Sequence, residues 1–202
     1  DKNTPVAGVI IAYTALLNIA KTEITATQKI PEDAFLPWEA TWPKLRDGYV
    51  NWFIGHQAEG WTFDQAEVWR ELSIGNFGLK LVGQLDRIDK SADGTAMVLD
   101  YKTESAAYTA KRLKEPLEDT QLAFYAALVG DETLEAAYVN VSEKESKSYV
   151  QADIDHSRSA LIEGILDDMQ NISAGKPLPA LGEGAACDYC AARGLCRKDF
   201  WV

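Results

Sequence analysis

Two short segments put charged residues where a folded chain normally keeps apolar ones. The first is Gly83-Gln84-Leu85-Asp86-Arg87-Ile88-Asp89, and the second is Val98-Leu99-Asp100-Tyr101-Lys102-Thr103. Met97-Val98-Leu99 is an apolar run of the kind a buried central strand shows. Asp100 and Lys102 are two apart, so they share a face of that strand. A buried carboxylate or ammonium is costly unless it is paired or metal-bound. Two readings follow. One is a surface strand with a Lys–Asp ion pair. In the other, the carboxylate helps to hold a divalent cation. Mg²⁺ takes oxygen ligands and keeps several of its waters. Between two carboxylates it polarises a phosphoryl oxygen and acidifies a bound water. Lys102 can orient that water and stabilise developing charge.

The turn between the segments decides whether Asp86 joins Asp100. Asp93-Gly94 is a turn signal. A two-residue turn there sets Arg87 opposite Asp100 and sends Asp86 to the other face. A three-residue loop, Ala92-Asp93-Gly94, pairs Ser91 with Thr95 and Asp86 with Asp100. Directly opposite residues have Cβ atoms about 4.5–5.5 Å apart, close enough to share one ion. The three-residue loop, or an equivalent bulge, is the expectation. Glu67, on the strand before, is either another carboxylate of the site or an exposed strand residue. Gln121 and Tyr125 lie at i and i+4 on one helical face. Residues 102–114 carry Lys102, Lys111, Arg112 and Lys114 against Glu104 alone. That basic strip is either part of the site or a solvated loop.

These residues need a frame. Residues 5–20 read as a helix, with Val9, Ala12, Leu16 and Ile19 spaced three or four apart, and Thr22–Ile30 reads as a loop. From Pro37 to Gln57, Trp38, Trp42, Leu45, Tyr49, Trp52, Phe53 and His56 form a helical stripe facing a core, with Pro43 in its first turn. His56 at its end reads as a packed or capping histidine. Trp61–Leu72, Gly78–Lys90 and Thr95–Thr103 read as strands. Pro116 opens a new element, and Glu118–Gly130 is a helix ended by its glycine. Glu135–Ser142 and Lys147–Ile154 form a hairpin around 143–146. Asp155–Ala174 is an amphipathic helix with Leu161, Ile165, Met169 and Ile172 on one face, and Gly175–Ala186 is a linker. Strands flanked by helices give an α/β or α+β sandwich. The expected divisions are a helical segment over 1–60, a core over 61–174, and a linker with a Cys-bearing tail over 175–202.

Composition sets limits. The chain has 202 residues, 47% of them hydrophobic, and a net charge of −11. A disordered or collagen-like chain is excluded, and no apolar run reaches the roughly 18–20 residues of a membrane span. No signal peptide is evident. The negative charge excludes a general cationic coat for nucleic acid, but not a metal site acting on phosphate. Beginning at Asp1 rather than Met, the sequence reads as a piece of a longer protein. Its three cysteines, Cys187-x2-Cys190-x5-Cys196, suit zinc or an iron–sulfur cluster in a reducing, cytoplasmic setting. Both normally take four protein ligands. Three free thiols, or zinc with His56 or His156 as fourth ligand, are possible; a fourth Cys outside this chain is the better reading.

In this order the motifs resemble those of the RecB-like nucleases of the PD-(D/E)XK superfamily. They look closest to the C-terminal nuclease domain of AddB-type recombination proteins, and are similar to CRISPR-associated exonucleases with a cluster. The similarity covers about residues 61–200. It implies a restriction-endonuclease-like mixed sheet flanked by helices, with a Cys-bearing C-terminal tail. It implies Mg²⁺- or Mn²⁺-dependent exonucleolytic cleavage of DNA in bacterial double-strand-break repair, alongside a helicase region or partner subunit. Asp86 and Asp100 then hold the metal with the Tyr101 carbonyl, Lys102 is the catalytic lysine, and Gln121 and Tyr125 form the family's Gln-x3-Tyr motif. Cys187, Cys190 and Cys196 match three ligands of a [4Fe–4S] cluster. Lys111, Arg112 and Lys114 are candidate DNA contacts. Two features depart from the pattern. The fourth Cys is absent, and the family's first acidic or His motif has only His56 and Glu67 as candidates. The competing expectations are a non-catalytic DNA-binding scaffold stapled by a cluster or zinc, and a zinc-stapled interaction module.

Overall fold

The computed structural model describes residues 6–31, 34, 39–114, 117–130, 134–177, 187, 190–192 and 196. Two helices come first, α1 (Val6–Thr27) and α2 (Trp42–Ala58). Strands β1 (Thr62–Ile74), β2 (Leu79–Lys90) and β3 (Ala96–Lys102) follow, then helices α3 (Ala106–Arg112) and α4 (Gln121–Val129). Strands β4 (Leu134–Asn140) and β5 (Lys147–Val150) and helix α5 (Ile154–Ser173) complete the described elements. The sheet runs in the order β1-β2-β3-β4-β5, so sequence neighbours are also spatial neighbours. All pairings are antiparallel except β3–β4. A parallel pair needs a crossover, and here α3 and α4 supply it. This is an α/β architecture, a mixed five-stranded sheet flanked by helices, as expected from the sequence motifs.

Each face of the sheet has its own core. Ala96 and Val98 of β3 join Leu81, Leu85, Ile88, Ala136 and Tyr138 beneath α4 and α5. Met97 and Leu99 point the other way and join Ala137 and Val139, with Trp52 of α2 packed against them. Strand alternation therefore assigns Asp100 and Lys102 to the α4 side and Tyr101 to the α2 side. The glycine at 83 permits a close approach: a Cβ there would sit 2.9 Å from Leu128 Cδ1 and 3.2 Å from Phe124 Cε1. Helix α4 can thus lie directly on β2. Gly130 ends that helix in the left-handed conformation, at φ 73°, as a glycine allows.

Helix α1 does not stop before Thr22. It continues through Thr27, over part of the stretch read as a loop. The threonines there bond back to the helix, Thr22 Oγ1 to the Asn18 carbonyl and Thr25 Oγ1 to that of Lys21, each at 3.0 Å. Such i−4 bonds keep a polar residue compatible with helix. Helix α1 also leans on α2 through the Tyr13 and Phe53 rings and a bond from Trp42 Nε1 to Asn18 Oδ1. The final hairpin strand stops at Val150, and Ile154, expected as its last residue, is the buried first residue of α5. Trp38, Pro116 and the linker over 178–186 lie outside the described residues. Among the described residues no helix is long and apolar enough to cross a membrane.

Candidate active site

The β2–β3 connection is the three-residue loop. Ser91 N donates to the Thr95 carbonyl at 3.0 Å, and the register above it runs Lys90–Ala96, Asp89–Met97, Ile88–Val98 and Arg87–Leu99. One further step sets Asp86 level with Asp100. There the backbone ladder gives way, and Asp86 Oδ2 instead accepts the Tyr101 amide at 3.0 Å. A residue in an extended strand turns its N–H and C=O to the same side. The Tyr101 carbonyl therefore also faces the Asp86 edge, while the Lys102 carbonyl accepts from Val141 N, just past the end of β4.

Gln121, the first residue of α4, ties the rest together. Its Nε2 donates to Asp100 Oδ1 at 2.8 Å and to Tyr125 Oη at 3.2 Å, and its Oε1 accepts from Lys102 Nζ at 2.7 Å. Both donor hydrogens and the acceptor are used, which fixes the amide's orientation. Lys102 Nζ also lies 2.6 Å from Asp100 Oδ2 and 5.0 Å from the centre of the Tyr138 ring. Asp100 Oδ2 is buried, and the Lys102 ammonium meets it as a close ion pair without a well-aligned hydrogen bond. Burial pushes the Asp100 pKa above the ordinary carboxylate value; Lys102 opposes this and the Asp86 charge adds to it. Burial likewise raises Tyr125, aided by the charges of Asp100, Asp86 and Glu67 and opposed by the bond from Gln121.

Glu67 stands where the strands change face. Ala66 pairs with Arg87 and Val68 with Leu85, so Glu67 is opposite Asp86. Its φ is +51°, a left-handed value costing roughly 1–2 kcal/mol for a non-glycine residue. Such a residue interrupts alternation as a bulge does. Leu81 and Leu85 lie in the core beneath α4, and so does Ile88, three residues on. Arg87 and Asp89 therefore turn toward α2. This change of face, made without a shift of the β1–β2 register at Glu67, lets Asp86 follow Leu85 and still reach the Asp100 edge. In the sequence, the only trace of this is the parity change from Leu81 and Leu85 to Ile88. The Glu67 carboxylate is exposed and accepts from Gln84 Nε2 at 2.8 Å.

Arg112 is placed differently from its candidate role as a DNA contact. Its Nε and Nη2 donate to Glu104 Oε1 and Oε2 at 2.7 and 2.8 Å, and Nη1 donates to Asp119 Oδ2. The guanidinium is spent on two carboxylates, although the side chain is still 26% exposed. Lys111 and Lys114 are exposed. His56 does not join the site. It is buried on the α2 side, stacked between Trp52 and Trp61, with Nε2 2.8 Å from Asp89 Oδ2. Beyond the C-terminal end of β3 a groove of about 1030 Å³ opens, lined by Lys44, Thr103, Ser105, Lys144 and Lys147 among others.

Two groups of residues bear on implied cofactors. Asp86, the Tyr101 carbonyl and the buried, incompletely bonded Asp100 Oδ2 are hard oxygen donors at one edge, and they fit a divalent cation. The thiols fit less well. Cys190 is exposed and Cys187 and Cys196 are half-buried. Among the described residues no three His, Cys, Asp or Glu side chains converge as a metal-binding group.

A family model described as the PD-(D/E)XK nuclease superfamily matches residues 11–197. No curated protein matches the chain. Among solved structures the chain is similar to SSO0001, at 17% identity and a TM-score of 0.44, covering 97% of this chain and 86% of that one. It is also similar to a protein named "Putative exonuclease" from Eubacterium rectale, at 10% identity and a TM-score of 0.44, covering 96% and 80%.

Proposed function

The chain belongs to the PD-(D/E)XK nuclease superfamily, and from that premise we propose that it is a Mg²⁺- or Mn²⁺-dependent deoxyribonuclease acting on DNA ends. The observation that carries the proposal is the Asp100–Gln121–Lys102 arrangement beside Asp86. Asp86, Asp100 and the Tyr101 carbonyl would hold the cation. Glu67 is opposite Asp86 on β1 but turned to Gln84, and among the described residues it is not brought together with them as a third carboxylate. A cation so held supplies Lewis acidity toward a phosphoryl oxygen and a bound water of lowered pKa. Lys102 donates hydrogen bonds toward the attacking water and the charge that develops on the phosphate. Gln121 holds the lysine and Asp100 at a fixed separation, and Tyr125 completes the amide's partners. Lys111 and Lys114 meet the DNA backbone.

The finer reading is an AddB-type exonuclease domain of bacterial double-strand-break repair, in the cytoplasm and beside a helicase. Its support is the order of the sequence motifs. A [4Fe–4S] cluster on Cys187, Cys190 and Cys196 with a fourth ligand outside this chain belongs to the same reading. It is supported by the cysteine spacing alone, and iron and sulfide analysis tests it. For the central proposal, the test is cleavage of end-labelled linear DNA with Mn²⁺ by the chain and by its Lys102→Ala variant. Cleavage that disappears in the variant is the expected result. Equal cleavage by both, or none by the unaltered chain, contradicts it.

A further inference from the structure

Among the described residues, one side chain bridges the two ends of the segment between Lys102 and Gln121. Arg112 ends the short helix α3, and its fork grips Glu104 just after β3 and Asp119 just before α4. Each carboxylate is anchored in turn. Glu104 Oε1 also accepts from Thr109 Oγ1 at 3.1 Å, and the Glu104 carbonyl accepts from Asn140 Nδ2 at 2.8 Å. Asp119 Oδ1 accepts from Tyr138 Oη at 2.6 Å and from the backbone N–H of Gln121 at 3.5 Å. Tyr138 is itself buried, and its ring is the one beneath Lys102 Nζ. The guanidinium lies 5.0 Å from the Tyr108 ring and 5.9 Å from that of Tyr138. Both ends of the crossover are thus held through Arg112.

We propose that Arg112 is a positioning residue, which fixes Lys102 and Gln121 against each other by clamping Glu104 to Asp119 and does not contact DNA phosphate. This rests on the nuclease reading above. A fork that bonds one carboxylate bidentately and reaches a second cannot be replaced by a lysine. A phosphate contact, which needs only a point charge, can. Misplacing a reacting group by an ångström costs about 10²-fold in rate.

The test uses the full chain and its Arg112→Lys, Arg112→Gln, Asp119→Asn and Arg112→Gln/Asp119→Asn variants. kcat and KM are measured on linear DNA with Mn²⁺ at 15 °C, melting temperature is recorded, and DNA affinity is titrated against salt without divalent cation. The clamp predicts that all four variants lose kcat by about 10²-fold, with KM and the salt slope unchanged. It predicts that the double variant is no worse than either single one. Rescue by lysine, with a salt slope lowered by about 1 in the glutamine variant, overturns the clamp in favour of a phosphate contact. A loss of rate that only follows the fraction unfolded at 15 °C also overturns it, as does wild-type kcat in every variant. Absence of cleavage by the unaltered chain overturns the nuclease reading and the clamp with it.

Discussion

Asp89 and Asp100 are both buried carboxylates, on neighbouring strands and on opposite faces of one sheet, and the protein treats them in opposite ways. Asp89 is completely satisfied. Arg87 Nε and Nη2 bond its two oxygens at 2.7 and 2.8 Å, and His56 adds a third partner. Arg87 also donates to the hydroxyls of Tyr49 and Tyr101 and lies 4.9 Å from the Phe53 ring. Burial works against the Asp89 charge, but the hydrogen bonds from His56 and Arg87 outweigh it, and its pKa falls below the ordinary value. Asp100 keeps one oxygen without an aligned bond, and burial pushes its pKa up. The Asp89 cluster fastens α2 to the sheet. The Asp100 cluster leaves Oδ2 facing the Lys102 ammonium without an aligned hydrogen bond, and this is the carboxylate for which we propose a cation.

That contrast can be broken by mutation. The largest expected effect is on rate: Asp100→Asn or Lys102→Ala lowers cleavage by about 10²–10⁴-fold, with the melting temperature of Asp100→Asn preserved. Asp89→Asn does the reverse. It strands Arg87 in the interior, which costs about 3–5 kcal/mol in urea unfolding, while activity per folded molecule stays near wild type. Gly83→Ala tests the Asp100 side without altering a charge. The added methyl pushes against Leu128 beneath α4, an overpacking cost of about 1–3 kcal/mol, and rate falls because α4 carries Gln121.

The smallest effect is on the pH dependence of stability, and the two carboxylates give it opposite signs. The Asp89 pKa is depressed in the folded protein, so its contribution is present above the unfolded carboxylate value and is lost as pH falls through the folded one. The Asp100 pKa is raised, so the folded chain binds its proton more tightly than the unfolded chain does. Stability then declines as pH rises through that value. Asp89→Asn therefore flattens the acid limb of a stability curve followed by thermal melting. Asp100→Asn leaves that limb in place and melts at or above the wild-type temperature at neutral pH.

Much of the Asp100 side was legible because it obeys short-range rules. Spacing by two put Asp100 and Lys102 on one face, spacing by four put Gln121 with Tyr125, and Asp93-Gly94 marked the turn that brought Asp86 level with Asp100. What could not be read needed tertiary information. The Asp89–Arg87–His56 cluster joins residues 33 apart, and His56 appeared only as a packed histidine without its partner. Arg112 reads as one cation of a basic strip because Asp119, its second carboxylate partner, lies beyond residues 102–114. The left-handed Glu67 broke strand alternation at a residue type that gives no warning of it. The length of α1 was missed because its threonines satisfy themselves within the helix.

The most direct test of the contrast is the shift in melting temperature on adding Mn²⁺ to the wild-type chain, Asp100→Asn and Asp89→Asn. A cation at 100 times its Kd stabilises the state that binds it by about 2.7 kcal/mol, or about 5–10 °C for a chain of this size. Wild type and Asp89→Asn are predicted to show that shift, the latter from a lower starting temperature, and Asp100→Asn is predicted to show none. An undiminished shift in Asp100→Asn, or its loss in Asp89→Asn, would contradict the assignment of the two carboxylates.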